Sequence, residues 1–250
     1  MPSPGGGRET EDTLTPTTPE AFEATVDAYR RVFRGEGVAE AFGHVVAVVV
    51  QPGVEFSGTA IHTYDDRRAA PLMAALEKHP GLCFEGPSTD YQPAASLSAM
   101  PRDGVRILKV GPELTFALRE ALFGLSFIED TLLPVGARSG FRQALEAAML
   151  AEPGHWQQHY HGIPGEQALA RQYSLSDRCR YYLSTPGVTV ALERRLQNLS
   201  SVSSPWGLLR QFLPGSCPAV PGAPVPGPQA LIESHLNAAV LDRYLDVAAI

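Results

Sequence analysis

The stretch Ile107–Phe123, ILKVGPELTFALREALF, runs from a short apolar segment into a helical pattern with only a Gly-Pro break between them. A strand, a tight loop and a helix start with no spare residues allow few folds. The helix must cross back over the sheet, and the loop's backbone N–H groups lie where an anion can be held. Two similar units precede it. The first strand is Val45 to Val50, unbroken in its apolar character and β-branched, the pattern of a strand buried on both faces. Its helix spans Asp66 to Lys78. The second strand is Leu82 to Glu85, followed by the loop GPSTDYQ and a helix opened by Pro93. The third strand is Val105 to Lys109, with a helix from Thr115 to about Asp130. Strands alternating with helices of this length predict a parallel sheet joined by right-handed crossovers.

Upstream, Thr18-Pro19 supplies an N-cap and a first-turn proline. Phe22, Val26, Tyr29 and Phe33 follow at helical spacing, and Gly35 and Gly37 end the run. Residues 1–15 lack apolar periodicity and read as disordered. From Arg138 onward no strand pattern recurs. Helices are expected over Gly140–Leu150, Ser176–Leu183, Val190–Leu199 and Gln229–Val247, with a Pro/Gly-rich loop at 214–228. The domain reading is therefore 16–135 for the βα units and 136–250 for a helical region. An eight-unit barrel needs five more strands than are visible.

A formal charge of -7 argues against a nucleic-acid groove, and the longest apolar run is too short to span a bilayer. Cys83, Cys179 and Cys217 have no metal-ligand spacing and read as reduced thiols of a cytoplasmic protein. The loops that follow the strands carry the polar residues: Gln51 and Glu55, then Ser88, Thr89 and Asp90, then Lys109 and Glu113.

Several of these residues have a chemical reading and a structural one. Gly111 to Thr115, with Ser88 and Thr89, could hold a sugar phosphate, or form a turn that merely reverses the chain. Glu113 would repel a dianion unless turned away. Lys109 could form a Schiff base, counter a phosphate, or pair with Glu85 or Asp90. Glu55 and Asp90 could exchange protons with a sugar hydroxyl, or simply cap loops. His155, His159 and His161 imitate metal spacing, but no carboxylate or cysteine accompanies them. Trp156 and Tyr160, four apart, favour a helix with a packed aromatic face. Arg178 could bind phosphate, but the favoured reading is a docking helix capped by Ser176, with Arg178 and Asp177 paired. No Walker-type phosphate loop is present.

Five motifs then occur in a familiar order: VVVQPGVEF (48–56), STDYQ (88–92), LKVGPELTFALREAL (108–122), YSLSDRCRYY (173–182) and QFLP (211–214). Together they resemble the non-catalytic Z-type subunit of class II D-tagatose-1,6-bisphosphate aldolase, over nearly all the chain from Thr18. The resemblance implies an α/β fold: the C-terminal part of a TIM (β/α)8 barrel of the class II aldolase type, about three βα units, plus a helical C-terminal extension. It further implies an accessory role, supporting a catalytic aldolase subunit in galactitol and N-acetylgalactosamine catabolism, with a ketose (bis)phosphate as a possible ligand. Some members are labelled tagatose-6-phosphate kinase, and some relatives are credited with C4 epimerisation of ketohexoses.

Two departures bear on this. The pattern begins near the family's fifth barrel strand, MPSPGGG resembling the end of the segment that follows it. The usual Glu-Ala-His-Ser-Thr-Asp-Tyr-Gln reads Glu85-Gly86-Pro87-Ser88-Thr89-Asp90-Tyr91-Gln92, so Pro87 replaces a histidine suited to metal binding. Three alternatives follow: an accessory subunit; a retro-aldol enzyme or C4-epimerase using Zn or another divalent metal with Glu55, Asp90 and Lys109; or a truncated, non-functional product. An open three-stranded sheet also predicts self-association through its uncovered edge.

Overall fold

The computed structural model describes residues 14–248. The disorder expected for residues 1–15 falls outside that range except at Leu14 and Thr15; Leu14 is buried, its carbonyl accepting from Arg68. The chain divides into two units, the first ending at Gly111 and the second beginning at Pro112.

The first unit opens with α1 (Pro19–Gly35), its first turn capped by the Thr18 hydroxyl, which accepts the Ala21 N–H at 3.2 Å. Then follow β1 (Ala47–Val49), a hairpin of β2 (Glu55–Phe56) and β3 (Ile61–His62), α2 (Asp66–Leu76), β4 (Cys83–Gly86), α3 (Ala94–Arg102) and β5 (Val105–Leu108). Strands β1, β4 and β5 form one parallel sheet with β4 central, as the βα pattern predicts, and β2 pairs antiparallel with β3.

Register fixes which side chains share a face. Val48, Phe84 and Val105 make a buried row, and Phe22 of α1 meets Phe84 edge-on at 5.0 Å. The opposite row is Val49, Glu85 and Ile107, and there Val49 keeps 45% and Ile107 38% of its surface exposed. The expectation that the first strand is buried on both faces is therefore corrected. Helix α1 covers one face, while the other carries a carboxylate and remains open.

The second unit is helical: α4 (Pro112–Leu132), α5 (Phe141–Ala151), α6 (Pro164–Tyr173), α7 (Pro186–Ser200), α8 (Trp206–Phe212), α9 (Pro228–Leu236) and α10 (Asp242–Ala248). Helix α4 is buried on most sides, with Arg119 and Glu129 among the apolar residues, which makes it a central helix. Leu122 and Phe123 join one cluster with Phe141, Leu145 and Val188; Ala121, Leu125 and Ile128 join another with Leu199, Leu209 and Leu231. This is why the second unit begins at α4.

Two further expectations are corrected here. The helix expected over Ser176–Leu183 is a 3-10 turn, Arg178–Tyr182, entered through Asp177 in the left-handed region at φ 45°. Asp177 pairs with Arg119 at 2.7 Å instead of Arg178, and the Ser176 hydroxyl meets that of Ser174. Pro153 and Gly162 break the histidine segment into a 3-10 turn, Pro153–His155, and loops, so its histidines do not share a helix face. Trp156 and Tyr160 are buried and stacked as expected, with rings 6.3 Å apart. Among the described residues no helix is long and apolar enough to cross a membrane.

Candidate functional site at the sheet's C-terminal edge

Three loops meet where β1, β4 and β5 end. In the first, Gln51 Oε1 accepts the N–H groups of Gly53 and Val54, both at 2.9 Å, which folds the chain sharply into the β2–β3 hairpin. The hairpin leans on the second loop: Phe56 meets Tyr91 edge-on at 5.3 Å. Buried Gln92 accepts from Tyr64 N–H and donates to the His62 carbonyl, both at 3.0 Å. The second loop grips the third. The Thr89 hydroxyl donates to the Lys109 carbonyl at 2.9 Å, and Asp90 Oδ1 accepts the Gly111 N–H at 2.8 Å.

The second loop is bent hard to do this. Ser88 (φ 58°) and Tyr91 (φ 61°) both occupy the left-handed region without being glycine. Such strain costs roughly 1–3 kcal/mol per residue and persists only where surrounding contacts over-determine it. Here those contacts are the Thr89, Asp90 and Gln92 hydrogen bonds on either side.

At the mouth, Lys109 Nζ meets Glu85 Oε1 at 2.9 Å, with the lysine about half exposed. Of the sequence alternatives for Lys109, this is the pairing with Glu85. Glu85 follows Val49 and Ile107 onto the open face, so the ion pair marks that face at the loop end. Ser88 is partly exposed beside it in sequence, while Thr89 and Asp90 are buried. Glu55 is half-buried and accepts its neighbour's N–H, Phe56, at 3.1 Å. The loop expected to cradle a phosphate therefore holds an anion already, the carboxylate of Asp90. Below it, Tyr64 donates to Asp103 at 2.8 Å; burial and then that bond hold its phenol far above the usual range.

The remaining expected residues lie in the second unit. The Thr115 hydroxyl donates to the Pro112 carbonyl at 3.1 Å, and Glu113 is matched by Arg243. Arg178 is buried, with Nη1 donating to the His155 carbonyl at 2.9 Å. Sequence reasoning valued Glu85 only as a partner for Lys109 and gave Gln92 no role. The strand register, Val49 against Glu85 and Glu85 against Ile107, puts Glu85 on the central strand. The position of Gln92 before the helix-opening Pro93 was the available hint for the other. No group of three or more His, Cys, Asp or Glu among the described residues could hold a metal ion, so they do not by themselves fit a divalent site.

The model of the D-tagatose-1,6-bisphosphate aldolase subunit GatZ/KbaZ-like family matches residues 1–249, and the chain belongs to that family. A solved structure described as a probable tagatose 6 phosphate kinase from Sinorhizobium meliloti 1021 is similar to it at 43% identity and a TM-score of 0.88. That similarity covers 95% of this chain and 61% of the other.

Proposed function

We propose that the chain is an accessory subunit of a cytoplasmic tagatose-bisphosphate aldolase, stabilising a catalytic subunit during galactitol or N-acetylgalactosamine catabolism. Residues 16–135 are read as the closing part of a TIM barrel of the class II aldolase type, and 136–250 as its helical extension. The observation that carries the accessory reading is at the mouth. The groups best suited to chemistry are spent on structure: Asp90 holds the Gly111 N–H, Thr89 holds the Lys109 carbonyl, and Lys109 is tied to Glu85. Pro87 adds no ligand. A ketose phosphate would meet Ser88 and the exposed end of Lys109, serving recognition.

One observation favours the enzymatic alternative. The Glu85–Lys109 pair is solvent-accessible, and a substrate phosphate could displace the carboxylate and free it as a base. An aldolase assay separates the two. Under the accessory reading this chain shows no turnover alone, yet raises the activity and thermal half-life of a catalytic tagatose-bisphosphate aldolase subunit. Retro-aldol or epimerase turnover by the chain alone, abolished in Lys109→Met, overturns it.

A further inference from the structure

The Pro/Gly-rich loop has no part in the reading above, yet it walls a cavity of about 560 Å³ in the second unit. The floor is core: Leu125 of α4, Leu199 of α7 and Leu231 of α9 are buried and belong to one apolar cluster. The rest of the lining comes from the turn 202–205, Trp206 at the start of α8, and the loop 222–227. Sites for small molecules commonly measure roughly 300–1,000 Å³, so the space is sufficient for one.

Ser204 is the residue that points to a ligand. It lines the cavity with only 8% of its surface exposed, and its hydroxyl has no hydrogen-bond partner among the described residues. A hydroxyl withdrawn from water without a partner costs free energy, which the polar group of a bound molecule would recover. Two neighbours are already engaged. The Ser200 hydroxyl donates to the Leu196 carbonyl at 2.8 Å, and Trp206 Nε1 donates to the Pro218 carbonyl at 2.9 Å, which leaves the indole ring itself for apolar contact.

The lining also says what that molecule is. None of its residues carries a charge, whereas a second cavity, of about 640 Å³ in the first unit, has Asp66, Arg67, Glu77, Arg102 and Asp103 in its walls. An ionised ligand beside Ser204 would lose its hydration and gain no counter-charge. A free sugar is poorly served too: it carries a hydroxyl on nearly every carbon, and walls of leucine, valine, tryptophan and proline leave most of them unpaired. The prolines narrow the choice again. The backbone of Pro205, Pro224, Pro226 and Pro228 can accept a hydrogen bond and cannot donate one, which favours a ligand that brings its own donor.

We propose that this cavity binds an uncharged, largely apolar alcohol, its hydroxyl bonded to Ser204 and its hydrocarbon body lying among Trp206, Val202, Val225 and the floor leucines. This stands independently of the aldolase reading, because no residue is shared with the mouth of the parallel sheet.

The test takes menthol as the probe and follows the two tryptophan indole Nε1–H signals of the full isotope-labelled chain by NMR. Trp206 lines the cavity, while Trp156 is buried in the other apolar cluster, its Nε1 bonded to the Met149 carbonyl; Trp206→Phe assigns the two signals. A saturable shift of the Trp206 signal with that of Trp156 unmoved is expected. Ser204→Ala should raise the half-saturating concentration about fivefold, the effect of losing one neutral hydrogen bond. Because Ser204 borders α8, a second variant is placed on the loop: Ala223→Phe fills the cavity and should abolish the shift. Menthone, with the same carbon skeleton and no donor, should bind more weakly than menthol, and cyclohexanecarboxylate and sorbitol should give no saturable shift. Both indole signals moving together, no saturation, unchanged half-saturation in both variants, menthone binding as tightly as menthol, or a saturable response to the carboxylate or the polyol overturns the proposal.

Discussion

At the scale of single residues, the decisive features are charges placed where water is scarce. Buried Asp90 joins the second and third loops through the Gly111 N–H. Removing its acceptor strands a buried donor, so Asp90→Ala should lose about 1–3 kcal/mol in urea unfolding, while Asp90→Asn, which keeps an acceptor, loses less. Arg195 is the stranger case. It has no exposed surface, lies 4.0 Å over the Phe141 ring and donates to the Leu122 carbonyl at 2.7 Å and the Ser126 hydroxyl at 2.9 Å. Burial pushes its guanidinium down to about 9 against the opposing pull of Glu129, so it is still cationic at neutral pH. Removing this buried cation leaves its acceptors, the Leu122 carbonyl and the Ser126 hydroxyl, and the nearby Glu129 carboxylate without it, and the loss of one partner from a buried charged group is destabilising. Arg195→Met, which keeps most of the packing, is therefore expected to lower the urea midpoint by less than Arg195→Ala, which also opens a cavity costing about 2–4 kcal/mol.

At the scale of elements, the clearest test concerns a glycine in mid-helix. Gly124 sits in α4, where alanine ordinarily gains about 0.5–1 kcal/mol. A Cβ there would lie 2.6 Å from the Phe212 carbonyl oxygen and 2.9 Å from Leu213 Cδ2, so the close approach of α4 and α8 depends on its absence. Overpacking against backbone costs about 1–3 kcal/mol and should outweigh the propensity gain. Gly124→Ala is expected to lower the thermal midpoint, while Gly187→Ala in α7, with nothing within 4 Å, should leave it unchanged or raise it. The same contrast explains what was legible in the chain. Periodicity revealed α1, the three parallel strands and α4, because each carries its own apolar pattern and its own cap or breaker. The β2–β3 hairpin escaped notice because two residues per strand leave no period to read; Gln51, Gln92 and Tyr91 hold it by tertiary contacts. The helix expected at Ser176 failed for a similar reason. Local capping favoured it, but buried Arg119 draws Asp177 into a left-handed turn. At the site, residue types announced polar loop ends, whereas the strained backbone at Ser88 and Tyr91 left no trace in composition.

At the scale of the whole molecule, the question is what covers the open face of the parallel sheet. Among the described residues both outer strands, β1 and β5, pair on one side only, and the face bearing Val49, Glu85 and Ile107 is part-exposed; Val46, just before β1, is 65% exposed. Unpaired edges beside β-branched side chains are templates for further strands, and natural proteins blunt them with lysine. Under the proposed function that position is filled by another polypeptide. Alone, the chain should associate as its concentration rises. Light scattering coupled to size exclusion is expected to give a mass above 26.9 kDa at tens of micromolar or higher, falling on dilution. Val46→Lys with Val49→Lys should return it to monomer mass without lowering its unfolding midpoint, since neither side chain is buried in the core. If the edge is where a catalytic subunit docks, the same pair of lysines must also abolish the gain in that subunit's thermal half-life. Loss of self-association with undiminished support for the partner would place the docking surface elsewhere, and a wild-type chain that stays monomeric throughout would remove the argument from the edge altogether.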